Sequence, residues 1–149
     1  FEQVEKLDEV LADVPPNSSV FPIAVKLRVD WRVIYSRQHS DAPRAREALD
    51  LLDDLLASFW SVDLFILRSE CAYLAEDASA YVESVWSVIT QIRHRLDKDK
   101  LSNEEGTQLR TRLLPMLSRL SESLVEPVSA RASDVKLELR ALINRMGRI

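Results

Sequence analysis

The chain has 149 residues, 46% hydrophobic and 30% charged, with 2 Gly and 6 Pro; that is the make-up of one globular domain, neither disordered nor fibrous. Scarce glycine, with Leu, Ala, Arg, Glu and Ser dominant, disfavours folds of many tight turns and favours long helices. A formal charge of −4, from 20 basic and 24 acidic residues, provides no large positive field, so nucleic acid is excluded as an expected partner.

In chain order, Val4, Leu7, Val10, Leu11 and Val14 recur at spacings of three and four, predicting a short amphipathic helix from Phe1 to Val14 with these residues on its buried face. Pro15 and Pro16 stop it. A second helix begins near Val20, with Pro22 in its first turn and Ile23, Leu27, Trp31, Ile34 and Tyr35 at helical spacing, and it fades between Gln38 and Ser40. Its many β-branched residues suggest a strand, but the run is far longer than the 3–10 residues typical of one.

A third helix is predicted from a cap at Ser40 or Asp41, with Pro43 in its first turn, to about Cys71. Its apolar stripe is Leu49, Leu52, Leu56, Phe59, Val62 and Ile66. After a polar break at Glu76, Asp77 and Ser79 comes a fourth, carrying Tyr81, Val82, Val85, Val88, Ile89, Ile92 and Leu96 and closing at Asp97 to Lys100. Ser102 followed by Glu105 has the form of a capping box and opens the last helix. That helix carries Leu109, Leu113, Met116, Leu120 and Leu124, then Val128, Val135, Leu139, Leu142 and Met146. Pro115 is expected to kink it, and Pro127 to kink or briefly break it. Residues 1–149 therefore read as a single all-α domain, an antiparallel up-and-down bundle of four long helices with a short N-terminal helix, both termini at one pole.

Catalytic and cofactor signatures are scarce. His39 and His94 lie at the ends of different predicted helices, far apart in sequence, so no metal is expected. Gly106 and Gly147 are isolated, leaving no phosphate loop and no cofactor expectation. No serine sits in a nucleophile elbow, which argues against an enzyme. The single cysteine, Cys71, excludes an internal disulfide and reads as a small buried hydrophobe.

Arginines and aromatics are the exception. Arg28 and Arg32 stand one helical turn apart, with Trp31 beside them and Tyr35 four residues beyond Trp31. Trp60, Tyr73 and Trp86 are expected to line a pocket with Arg68 at its mouth. Together these residues suit a small anion or carboxylate, which a guanidinium fork binds with two hydrogen bonds while ring faces exclude water. The other reading is a core of aromatics rimmed by packed arginine stems.

The stretches Leu27-Arg28-Val29-Asp30-Trp31-Arg32 and Leu56-Ala57-Ser58-Phe59-Trp60-Ser61-Val62-Asp63-Leu64 resemble the helical extracytoplasmic sensory regions of hybrid histidine kinases and diguanylate cyclases, although Val62 stands where that pattern has Arg. The resemblance implies a non-catalytic, periplasmic sensor of a two-component type receptor, anchored in the inner membrane by flanking segments. The chain opens at Phe1 rather than Met and is expected to be a piece of a longer protein. Its last helix, with Pro115 and Pro127, is then the output element, and a homodimer is expected. Arg140, Arg145 and Arg148 oppose this reading, since positive charge is favoured on the cytoplasmic side of a membrane. The alternative is a cytoplasmic helical module that binds another protein through the Leu109 to Leu124 seam, unless that seam faces the core.

Overall fold

The computed structural model describes residues 2–122 and 129–147. They form seven α-helices and, among the described residues, no strand: α1 (Glu2–Ala12), α2 (Phe21–His39), α3 (Ala42–Leu56), α4 (Val62–Leu74), α5 (Ala78–Asp97), α6 (Asn103–Leu120) and α7 (Ser129–Met146). The all-helical expectation holds. The chain gathers into two compact units, Phe1–Asp77 and Ala78–Ile149.

In the first unit α2 packs on α3 and α4, and α1 lies on α2. The helices α3 and α4 run antiparallel, because Asp53 meets Arg68 at 2.6 Å while Arg46, one turn into α3, meets Asp77 beyond the end of α4. Local chemistry explains the turns. The Asp41 carboxylate accepts the Arg44 N–H at 3.1 Å and caps α3, and the buried Ser36 hydroxyl donates to the Asp41 carbonyl, tying α2 to α3. The core is apolar and mainly aliphatic, with Val25, Val29 and Val33 from α2, Ala45, Ala48, Leu49, Leu52 and Leu55 from α3, and Phe65, Cys71 and Ala72 from α4.

In the second unit α7 packs on α5 and α6. Arg93 pairs with Glu138 and Asp97 with Arg145, so α5 and α7 point the same way. Gly147, after the end of α7, lies beside the guanidinium of Arg110 from the middle of α6. Ser102 caps α6 through the Glu105 N–H at 3.1 Å, as its spacing predicts. The Glu105 carboxyl is held below its ordinary range by Arg95 and then by Ser102.

Several expectations need correction. The predicted helix from Asp41 to Cys71 is two helices, because α3 ends at Leu56 and Ser61 starts α4 by accepting the Leu64 N–H at 3.1 Å. Apolar spacing runs unbroken across this corner, yet Phe59 and Trp60 are exposed there. On α1 the predicted face is buried only in part: Val4, Leu11 and, past its end, Val14 are half-buried, Leu7 and Val10 are exposed, and Asp8 is the buried residue. On α2, Ile23, Leu27 and Ile34 of the expected stripe are exposed, Trp31 is buried and Tyr35 half-buried, and the deepest face instead carries Val25, Val29, Arg32 and Ser36.

The predicted last helix is also two, α6 ending at Leu120 after continuing through Pro115 and α7 starting at Ser129, and the two pack on each other rather than continuing as one element. Pro127 lies outside the described residues.

Helices α2, α4 and α5 share one ending. Ser40, Glu76 and Asp99 adopt positive φ of 50°, 59° and 58°. In each case the following N–H reaches back five residues, from Asp41 to Ser36, from Asp77 to Ala72 and from Lys100 to Arg95. This is the left-handed helix closure that glycine ordinarily supplies.

Candidate functional site

The site is built on the middle of α2, where Arg28, Trp31 and Arg32 project toward α1 and meet a single carboxylate, that of Asp8. Its Oδ1 accepts from Arg28 Nε at 3.1 Å, Trp31 Nε1 at 3.0 Å and an Arg32 terminal nitrogen at 2.5 Å, and its Oδ2 accepts from the other Arg32 terminal nitrogen at 2.9 Å. Arg32 thus grips it with both prongs, the geometry in which guanidinium recognises a carboxylate. The spacing of the helix makes this possible, since residues 28, 31 and 32 share one face.

Electrostatics follow from burial and pairing. Burial raises the Asp8 pKa, but hydrogen bonds from Arg32, Trp31 and Arg28 outweigh it and hold the carboxyl well below the usual range. Arg32 is likewise disfavoured by burial and held charged by Asp8 and Glu47.

A second layer locks the arginines. Arg32 donates its Nε to Glu47 at 3.2 Å and one terminal nitrogen to the Arg28 carbonyl at 3.0 Å. Arg44 on α3 bridges Glu47 and the Glu5 carboxylate of α1, both at 3.1 Å. The guanidinium groups of Arg32 and Arg44 lie 4.7 and 5.2 Å from the Trp31 ring, and Arg44 lies 5.5 Å from that of Tyr35. Tyr35 packs edge-on to Trp31 at 6.3 Å and against His39 at 4.3 Å.

Two depressions flank the cradle. Between α1 and α2 an apolar groove of about 230 Å³ runs along Val4, Leu7, Leu11, Leu27 and Ile34. Between α2 and α3 a cleft of about 300 Å³ is lined by Arg28 and Arg32 together with Glu47, Asp50 and Asp54.

Of the residues singled out in the sequence, Arg28, Trp31, Arg32 and Tyr35 come together. Trp60 stands exposed at the corner before α4, its ring edge 5.9 Å from Phe65. Arg68 is engaged by Asp53, and Tyr73 is half-buried on α4. Trp86 belongs to the second unit, where it lines a hollow of about 420 Å³ with Arg131, Val135 and Glu138.

Sequence reasoning missed Asp8. A lone acid among apolar residues at helical spacing carries no mark of burial, and only the paired arginines on α2 hinted that a carboxylate belonged nearby.

Cys71 is buried, with its thiol pushed up to about 12 by burial and then by the charges of Glu70, Asp30 and Asp53. Among the described residues no group of three or more His, Cys, Asp or Glu is placed to hold a metal ion. No described helix is long and apolar enough to cross a membrane. The Leu109 to Leu120 part of the proposed docking seam is buried, and Leu124 lies outside the described residues. Comparison with protein-family models, curated proteins and solved structures finds no match to this chain.

Proposed function

We propose that this chain is the non-catalytic ligand-recognition domain of a membrane-bound signalling receptor of two-component type, placed in the periplasm and relaying binding through displacement of its helices. The observation that carries this reading is the α2 cradle, where two guanidinium groups and an indole N–H converge on one carboxylate. Such a cradle recognises a carboxylate by shape and charge together, and performs no bond chemistry of its own. In this proposal two copies pair, and α6 with Pro115 leads the displacement outward.

The nucleotide sequence on either side of these residues tests the membrane setting. Apolar runs of about 20 residues are expected before Phe1 and after Ile149. A start codon just upstream with a stop codon just downstream overturns it.

A cytoplasmic interaction module is the second reading. The exposed Leu7, Val10, Ile23, Leu27 and Ile34 of α1 and α2 favour it, in place of the buried Leu109 seam. Concentration-independent monomeric behaviour, together with flanking apolar runs, would leave it without support.

A further inference from the structure

We propose that the α2 cradle is a carboxylate-binding site which Asp8 fills from within the chain, and that a small monocarboxylate with a short apolar tail competes with Asp8 for it. The proposal deepens the ligand-recognition reading by giving the ligand a chemical class.

The first ground is how α1 is attached. Asp8 is its buried residue, Val4 and Leu11 are half-buried, and Leu7 and Val10 face outward. A helix docked by an apolar face would show the reverse. Here the deepest contact is a carboxylate, with Glu5 on Arg44 as a more exposed second tie, so a competing carboxylate removes the main hold.

Secondly, the donors stand on α2 and the central one, Arg32, is held by partners outside α1. All four donors to Asp8 come from α2, and the Arg32 guanidinium is also fixed by Glu47 and the Arg28 carbonyl. Preorganised donors of this kind lose little freedom when a ligand replaces the internal group.

The surroundings define the ligand. Leu27 and Ile34, exposed on α2 beside the cradle, give a hydrocarbon tail an apolar surface that remains when α1 is released. Glu47, Asp50 and Asp54 line the other side and repel a second negative charge, which selects a monocarboxylate over a dicarboxylate. Because Asp8 is tethered, it competes at an effective concentration in the millimolar range; wild-type protein therefore binds an external carboxylate more weakly than a chain lacking that carboxylate.

The test uses the whole chain, ¹⁵N-labelled, and follows the Trp31 indole N–H resonance, assigned with Trp31→Phe. Sodium acetate and sodium hexanoate are titrated at constant ionic strength, with sodium chloride as control. In Asp8→Ala both carboxylates are expected to shift the resonance saturably, hexanoate at a lower concentration than acetate, and wild type is expected to need at least tenfold more of either. Asp8→Ser, whose side chain is too short to fill the cradle but keeps a polar group, serves if Asp8→Ala does not fold. Overturning results are a response no larger than that to chloride in the folded variant, or equal affinity in variant and wild type. These outcomes are independent of the flanking sequence, so failure here leaves the membrane setting standing and the reverse.

Discussion

Asp8 is stable as an anion in a nearly dry position because Arg28, Trp31 and Arg32 replace the water it gives up. Its folded pKa lies below that of the unfolded chain, near 3.8. The stability it contributes is therefore fully present above about pH 4 and is lost as pH falls through the folded value, where the unfolded chain has already bound its proton. Asp8→Asn removes the charge and should lower unfolding free energy at pH 7 by up to about 3 kcal/mol, the limit being the free energy that docks α1. Urea denaturation at pH 7 and pH 3 checks both points: the gap between wild type and Asp8→Asn is expected to narrow at the lower pH. The arginine and aromatic stripe on one face of α2 was legible in the sequence. The chain's own carboxylate as occupant was not, because Asp8 makes its contacts twenty or more residues away and local spacing carries no trace of them.

At the scale of elements, side-chain caps decide where helices begin. Asp41 and Ser102 could be read directly, since each precedes an apolar pattern that starts afresh. Ser61 was hidden, because Leu52, Leu56, Phe59, Val62 and Ile66 keep helical spacing through the corner between α3 and α4. Periodicity reports which residues could share a face, not whether one continuous helix presents them. Ser61→Ala should lower stability by about 1 kcal/mol in urea denaturation, through loss of the acceptor for the Leu64 N–H. The same limit explains the outward turn of Ile23, Leu27 and Ile34: two helical faces of α2 carry apolar residues, and the neighbours α3 and α4 select the one bearing Val25 and Val29.

For the molecule as a whole, helical class followed from composition, since two glycines leave little material for tight turns. Division into two compact units did not, because apolar periodicity continues on both sides of Asp77 and does not reveal which helices share a core. That same scarcity of glycine has a consequence at Ser40, Glu76 and Asp99, all exposed and all left-handed. A side chain in that conformation costs about 1–2 kcal/mol, offset in part by the backbone entropy glycine gives up on folding. Aspartate tolerates it best, so Ser40→Gly and Glu76→Gly should each raise the thermal midpoint by a few degrees in calorimetry, and Asp99→Gly by less. The natural sequence therefore stands below the thermostability its own backbone permits, with the reserve held at surface corners where substitution leaves the cradle and both cores untouched.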